Sequence, residues 1–248
     1  MLTDDLRGIW AILLKDLRAY YFKPPNISWG ILFPFAFVLA FVIRDGAALD
    51  LGGLGRMMPG LLALTLLFST TSMEAIVITF ERRIGALERL LLAPLRLPAL
   101  LVGKLLGGMV FGLATTAVVL IAMLAVFGLT GVRWWLLLMT LILAAGAFSA
   151  LGVLISVAVK EVFEAQTLAN MFRFPMMFLG GVFVPITSLP RWLRGVARML
   201  PLTYAVEALN VAISGGELLR ALLDLLVLAV FAAACFAFGV RVLSRRVA

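Results

Sequence analysis

The residues best suited to chemistry form a charged run between two long apolar stretches, from position 81 to position 89. Carboxylates and guanidinium groups at this density make strong charge-assisted hydrogen bonds to a partner. They cannot lie in hydrocarbon, so the run is predicted at a membrane surface. We interpret it as a docking surface, with a solvated loop that only sets topology as the alternative. Its candidate residues are Glu81, Arg82, Arg83, Leu87, Glu88 and Arg89.

The same run has helical periodicity. An apolar stripe is predicted from Ile84, Leu87, Leu90 and Leu91, and Pro94 and Pro98 are expected to end the helix. The later pair Gly103-Lys104 does not complete a phosphate-binding loop, because Pro98 stands at the position of the first glycine and Leu105 at that of the Ser/Thr. The sequence therefore shows no recognisable ATPase motif.

A second set of residues lies late in the chain and is rich in helix breakers. Gly180, Gly181 and Pro185 interrupt one helix, and Pro201 starts or breaks another. The segment is too apolar for a solvated loop, and such broken elements persist at membrane depth only when buried in protein or lining a cavity. Residues 185–215 are predicted to form two short re-entrant or interfacial helices. The hydroxyls of Thr203 and Tyr204 have two predicted roles, capping freed backbone groups or contacting cargo.

Two charged residues, Glu74 and Arg173, fall within apolar stretches. Since a charge at membrane depth is costly, each requires a partner or water. We expect them to pair with each other or to line a path, with Glu74 reaching the inner interface as the alternative.

Four glycines begin the third apolar stretch at G-x-x-x-G spacing. This spacing permits close helix contact, either between two copies of the chain or within one copy. The glycines are Gly103, Gly107, Gly108 and Gly112.

Composition defines the elements that must position these residues. The chain is 64% hydrophobic and 14% charged, whereas a soluble domain averages about 45–50% apolar residues. Its 248 residues are predicted to form a single all-α membrane domain, 1–248. Hydropathy places six transmembrane helices near 26–43, 57–80, 105–128, 134–159, 166–186 and 219–240.

Charge distribution indicates the orientation. Thirteen Lys and Arg residues fall on one side of these spans and seven on the other, which predicts both termini in the cytoplasm of a multi-pass plasma-membrane protein. Residues 1–25 are predicted to form an amphipathic interfacial helix, with Leu6, Ile9 and Trp10 on its apolar face and Asp16 on its polar face. This distribution of Lys and Arg explains the net charge of +8, so nucleic-acid binding is not needed to explain it.

Two blocks of sequence then resemble the ABC-2-type permeases, the membrane subunits of one class of ATP-binding-cassette exporters. The first runs from Glu81 to Pro94 and on to Gly103-Lys104, with Arg83 and Ala86 where the family usually has Glu and Thr. The second runs from Gly180 to Pro185, then through Leu189-Pro190 and Pro201-Leu202-Thr203-Tyr204 to Glu207-Ala208. Asn210 stands where that family commonly has a basic residue or Gln.

The resemblance implies a function. Such a chain pairs with a second permease copy, as a homodimer or with a homologue, and with two ATPase subunits that bind ATP and Mg²⁺. It binds no cofactor and is not an enzyme. Residues 81–98 would hold a cytoplasmic coupling helix, mapped onto Ile84–Leu92, and residues 1–25 the interface helix. The outer broken helices would gate a path for a hydrophobic or amphipathic substrate, such as a drug, a lipid or a lipid-linked glycan.

The alternatives come from other classes of protein. A secondary transporter or channel would need no ATPase partner, but no inverted repeat is detectable and few buried ionisable residues are available for ion coupling. A membrane enzyme or metal site is disfavoured, because the chain has no His and a single cysteine, Cys235.

Overall fold

The apolar stretches become long helices in the computed structural model, which describes residues 2–21, 36, 51–92, 95–127 and 131–247. No strand occurs among these residues. The predicted first span, 26–43, lies outside them apart from position 36, as do Pro24, Pro25 and Pro94.

Nine α-helices are numbered here in chain order within the described residues. They are α1 (Leu2–Asp16), α2 (Leu51–Arg83), α3 (Ala86–Leu91), α4 (Leu97–Phe127), α5 (Trp134–Ala158), α6 (Val162–Leu179), α7 (Arg191–Ala197), α8 (Pro201–Ser214) and α9 (Leu218–Val247). A π-helical turn, Leu17–Tyr21, extends α1, and a 3₁₀ turn, Ile186–Ser188, precedes α7.

Within the part of the chain that the structure describes, four helices are long and apolar enough to cross a membrane, namely α2, α4, α5 and α9. A fifth crossing results if α7 and α8, which meet at 88°, form one broken span. The all-helical membrane architecture is thus confirmed, while the count of six spans stays a prediction.

Two predicted boundaries are wrong. The fifth span was expected over 166–186, but α6 ends at Leu179 because the backbone turns at Gly180 and Gly181. The third was expected from Leu105, but α4 begins at Leu97 and has Pro98 in its first turn, where a missing N–H costs nothing. Lys104 therefore lies inside a helix rather than in a connection.

The core lies where α2 and α5 meet. In the apolar 18-residue stretch of α2, 83% is buried, against 22% in that of α9. Small buried residues of α5, such as Ala144, Ala145 and Ala147, allow its neighbours to approach closely. The helices α4, α6, α8 and α9 surround this pair, so much of the apolar surface of α9 faces outward.

The N-terminal helix α1 packs along α4, and its predicted polar face needs one correction. Leu6 and Trp10 of the predicted apolar face are exposed, as expected for an interfacial helix, but Asp16, assigned to the polar face, is fully buried. The amphipathic pattern identified a helix, but Asp16 turns inward because α4 supplies a cation for it. Its interfacial position stays a prediction.

The glycines of α4 provide close contacts within one chain. Gly103 lies against Ile12, Gly107 against Tyr21, Gly108 against Glu74 and Gly112 against Thr70. A side chain at any of these positions would meet α1, α2 or the turn after α1. The intrachain interpretation of the glycine spacing is therefore confirmed.

Candidate functional site

The charged run divides between two helices. Glu81, Arg82 and Arg83 are the last residues of α2, so they continue the most buried helix of the chain. The backbone then breaks at Ile84 and Gly85, where Gly85 has φ +70, and α3 follows. A single helix over the run was predicted, and this is wrong, because the left-handed conformation at Gly85 ends α2 and turns the chain.

The candidate residues around the break differ in solvent exposure. Glu81 and Leu87 are buried and Arg82 is half-buried, whereas Arg83, Glu88 and Arg89 are exposed, without an ion pair among the described residues. The predicted apolar stripe is also divided, since Leu87 is 2% exposed but Ile84 is 50% exposed. An exposed surface therefore remains in which charged groups alternate with apolar ones. We call Arg83, Ile84, Glu88, Arg89 and Leu92 the α3 surface.

Glu81 belongs to a buried charge cluster rather than to the α3 surface. Its carboxylate accepts hydrogen bonds from Lys104 of α4 and Lys15 of α1. Lys104 Nζ also donates to Asp16 Oδ2 at 2.7 Å, and Lys15 Nζ lies 3.0 Å from Asp16 Oδ1. Two cations thus face two anions, a balance that limits the cost of burying all four.

Sequence reasoning missed the roles of Asp16, Lys15 and Lys104. One lysine, Lys104, lies near the start of an otherwise apolar helix, and this pattern could have indicated a buried acidic partner. The cluster joins α1, the end of α2 and the start of α4, so we call it the three-helix lock, formed by Lys15, Asp16, Glu81 and Lys104.

The lock also shifts the pKa values of Lys15 and Asp16 in α1. Burial by itself would lower the pKa of Lys15, but the hydrogen bond to Glu81 and the charge of Asp16 raise it above the ordinary value. Burial raises the pKa of Asp16, and the charge of Lys104 opposes this rise.

Arg82 fixes the end of α2 against another helix. Its Nη1 donates to the carbonyl of Val159 at 2.5 Å and lies 3.5 Å from that of Ser156. These carbonyls end α5, where the helix dipole favours a cation. The end of α2 is therefore held on both sides, by the lock and by α5.

Glu74 makes its contacts deep inside the chain. It is fully buried, and its Oε1 accepts hydrogen bonds from the Gly108 amide at 2.9 Å, Tyr21 Oη at 3.2 Å and Ser149 Oγ at 3.3 Å. Among the described residues no contact joins Glu74 to Arg173, so the expected pairing is not present, while a position at the inner interface stays a prediction. The close approach of α4 at Gly108 instead brings polar donors to the carboxyl group.

Arg173 lies elsewhere, between α6 and α2, and is 2% exposed. Its Nη1 donates to Ser72 Oγ, its Nη2 lies 3.4 Å from Gln166 Oε1, and its guanidinium lies 5.0 Å from the centre of the Phe68 ring. Its Nε has no hydrogen-bond partner. Among the described residues, no carboxylate pairs with it.

The outer segment is broken as expected. Gly180 ends α6 and Gly181 has φ +79, so the chain leaves the helix before the 3₁₀ turn. The segment lies on α2, because a Cβ on Gly60 would come within 2.9 Å of Val182. Pro185 is exposed, whereas Gly180 is buried.

Pro201 begins α8, and the two hydroxyls behind it cap the end of α7. Thr203 Oγ1 donates to the Ala197 carbonyl at 2.6 Å, and Tyr204 Oη donates to the Arg198 carbonyl at 2.5 Å. The Ala197 carbonyl also accepts the Leu200 N–H at 3.1 Å, so it has two donors. These hydrogen bonds fit the capping role, and contact with cargo stays a prediction.

The described residues join the α3 surface to the core of the chain. No group of three metal-binding side chains occurs among the described residues. An exposed, mixed polar and apolar surface is instead joined through a short turn to a long buried helix. The α3 surface is thus continuous with the core of the chain, and the same helix meets the broken segment where Gly60 lies close to Val182.

Comparisons with known proteins identify the family of the chain. A sequence model of the ABC-2 type transporter family matches residues 7–213. The chain is 26% identical over 220 residues to the inner membrane transport permease YadH of Escherichia coli K12, and the match covers 85% of this chain and 83% of that protein. It is 29% identical over 156 residues to ABC transporter G family member 20 of Dictyostelium discoideum, covering 61% of this chain and 21% of that protein.

Proposed function

Because the chain belongs to the ABC-2 type transporter family, we propose that it is the permease subunit of an exporter driven by ATP hydrolysis on a separate subunit. Two ATPase subunits that bind ATP and Mg²⁺ would act with two permease copies, most simply a homodimer. The complex would lie in the inner membrane, as the name of the E. coli relative indicates, with both termini in the cytoplasm. Its cargo would be a hydrophobic or amphipathic molecule such as a drug, a lipid or a lipid-linked glycan.

The α3 surface is the single observation that carries this proposal. Glu88 and Arg89 are exposed on a short helix that extends from the end of a long apolar one. Exposed Ile84 and Leu92 lie beside them, so the surface offers apolar contact as well as charge. A partner protein with a complementary cleft would bury this mixed surface.

The coupling would run through α2. ATP-driven closure of the ATPase subunits would displace α3, and the short connection at Gly85 would pass this displacement to α2. The lock and Arg82 make α1, α4 and α5 respond with α2, because their contacts at its end are buried. At the other end, the contact between Gly60 and Val182 would carry the movement to the outer segment, where the cargo leaves. The packed core would thus change between two arrangements.

The test uses the permease purified together with its ATPase subunit. Glu88→Ala combined with Arg89→Ala should weaken ATPase association and lower transport-linked ATP hydrolysis about tenfold, since exposed interface charges act on association. The apparent melting temperature of the permease should not change, because neither side chain has a hydrogen bond or ion pair among the described residues.

Arg220→Gln is the matched control, since Arg220 is an exposed cation in the first turn of α9, at the opposite end of that helix from Leu243, which packs with Leu87. It should leave association and transport as in the wild type. Failure of an ATPase subunit to co-purify, or unchanged coupling in the double variant, would contradict the proposal.

A further inference from the structure

Arg173 differs from Lys104, the other deeply buried cation among the residues whose burial the structure describes. Lys104 lies between two carboxylates, Asp16 and Glu81, so its charge is balanced. Arg173 is equally buried, but its contacts are neutral oxygens of Ser72 and Gln166 and the face of Phe68. A buried cation without a counter-charge is costly, and such residues mark ligand paths in membrane proteins.

The hydrogen-bonding capacity of the guanidinium is not used up. Arginine has five N–H donors in a fixed planar fork. Two acceptors contact Arg173, one of them at the long distance of 3.4 Å, and its Nε has none. The fork suits a carboxylate or a phosphate, which accept two parallel hydrogen bonds.

Aromatic side chains lie beside the Arg173 guanidinium. Phe68 covers the guanidinium and contacts Phe174 of α6 with ring centres 6.4 Å apart. Phe174 is exposed, and so is its neighbour Phe172. If Arg173 held the acidic group of a molecule, the hydrocarbon or aromatic tail of that molecule would therefore lie beside these aromatic side chains. Ser72 lies near the middle of the apolar stretch of α2, so this place is deep in the membrane.

We propose that Arg173 binds the acidic head group of an anionic amphipathic cargo, and that the Phe68–Phe174 pair contacts its apolar tail. This rests on the proposed export function and narrows its cargo to molecules with a carboxylate or phosphate on a hydrophobic body. Arg173 would supply the counter-charge that such a molecule needs to leave water, and the cargo would complete the hydrogen bonding of Arg173.

Direct binding tests this without an ATPase. The purified permease in phosphatidylcholine nanodiscs is titrated with a pyrene-labelled fatty acid and with the matched fatty alcohol, which differ only in the head group. A pyrene-labelled lysophosphatidic acid forms a third arm, and its affinity relative to the fatty acid distinguishes a phosphate from a carboxylate as the preferred group.

The wild type should bind at least one acid about tenfold more tightly than the alcohol, the effect of one charge-assisted hydrogen bond. Arg173→Gln should abolish this preference while leaving alcohol binding unchanged. Arg173→Lys, which keeps the charge but not the fork, should retain part of it. Arg220→Gln should behave as the wild type.

Equal binding of acids and alcohol by the wild type would overturn the inference, as would a preference that survives Arg173→Gln. If Arg173→Gln does not fold, the head-group comparison on the wild type and on Arg173→Lys still decides. An acid preference without a co-purifying ATPase would refute the export function alone. Coupled ATP hydrolysis without an acid preference would refute the cargo assignment alone.

Discussion

Single residues in this chain show how a membrane protein handles buried charge. Lys104 has no access to water, and it is stabilised by Asp16 and Glu81 rather than by solvent. Lys15 completes the lock at its half-exposed edge. Removing one member of such a cluster leaves another charge buried without compensation, which is more costly than removing a neutral pair.

Lys104→Met should therefore lower the free energy of unfolding by about 3–5 kcal/mol, the usual cost of breaking a buried ion pair. Combining it with Glu81→Gln should recover part of this loss, because an equal number of opposite charges then remains in the lock. Shifts in the apparent melting temperature of the detergent-solubilised chain report the loss in the single variant and the recovery in the double variant. Lys160→Met, at an exposed lysine, is the control, and equal losses for Lys104→Met and Lys160→Met would disprove the role of the lock.

The hydroxyl of Thr203 permits a second test at this scale. Thr203→Val keeps the shape of the side chain but removes the donor to the buried Ala197 carbonyl, so stability should fall by about 1 kcal/mol. Transport per folded molecule should not change if capping is its only role. Thr187→Val, at an exposed threonine, should have no effect on stability. Reduced transport by Thr203→Val at unchanged stability would instead indicate contact with cargo.

Among the elements, α4 depends on close approach to its neighbours. At Gly108 a Cβ would collide with Glu74 and lie 2.8 Å from Ser149 Oγ. Gly146 of α5 is also a helix glycine, but the atom nearest to its Cβ position is Met109 Cε at 3.8 Å. The two glycines therefore differ in the space around them rather than in helical conformation.

Gly108→Ala should destabilise the chain, because overpacking costs about 1–3 kcal/mol and exceeds the gain in helix propensity. Gly146→Ala should keep only that gain, about 1 kcal/mol, and be neutral or stabilising. Thermal unfolding of the two variants in the same detergent provides the comparison. A stabilising Gly108→Ala would mean that α2 and α4 do not approach as closely as the structure has it.

At the scale of the whole molecule, orientation follows from charge. The predicted cytoplasmic side carries the α3 surface and the end of α9, while α7 and the 3₁₀ turn lie at the opposite ends of the long helices. Residues 45–56 and 188–217 are predicted to face outward, because the inner side is the one rich in Lys and Arg, and residues 45–50 lie outside the described residues.

Single cysteines in a Cys235→Ala background test this orientation. Ser244→Cys should react with an impermeant thiol reagent only after the cells are opened, whereas Ser188→Cys should react in intact cells, and both positions are exposed. Mass-shift labelling on a gel measures the fraction modified. Labelling of Ser244→Cys from outside would reverse the orientation and remove α3 from the ATPase side.

The sequence by itself determined the all-helical membrane class, the family and the helix breaks near Gly180 and Pro201, though not the one at Gly85, because hydropathy, proline and glycine act locally along the chain. It located the charged run but did not separate Glu81 from Glu88, since both are acidic residues at the end of one apolar stretch. Only the tertiary structure decided that Glu81 faces Lys104 and that Glu88 faces outward. It also decided that Glu74 and Arg173 remain apart, because partner choice depends on which helices approach closely, and the glycines of α4 control that approach through contacts far apart in sequence.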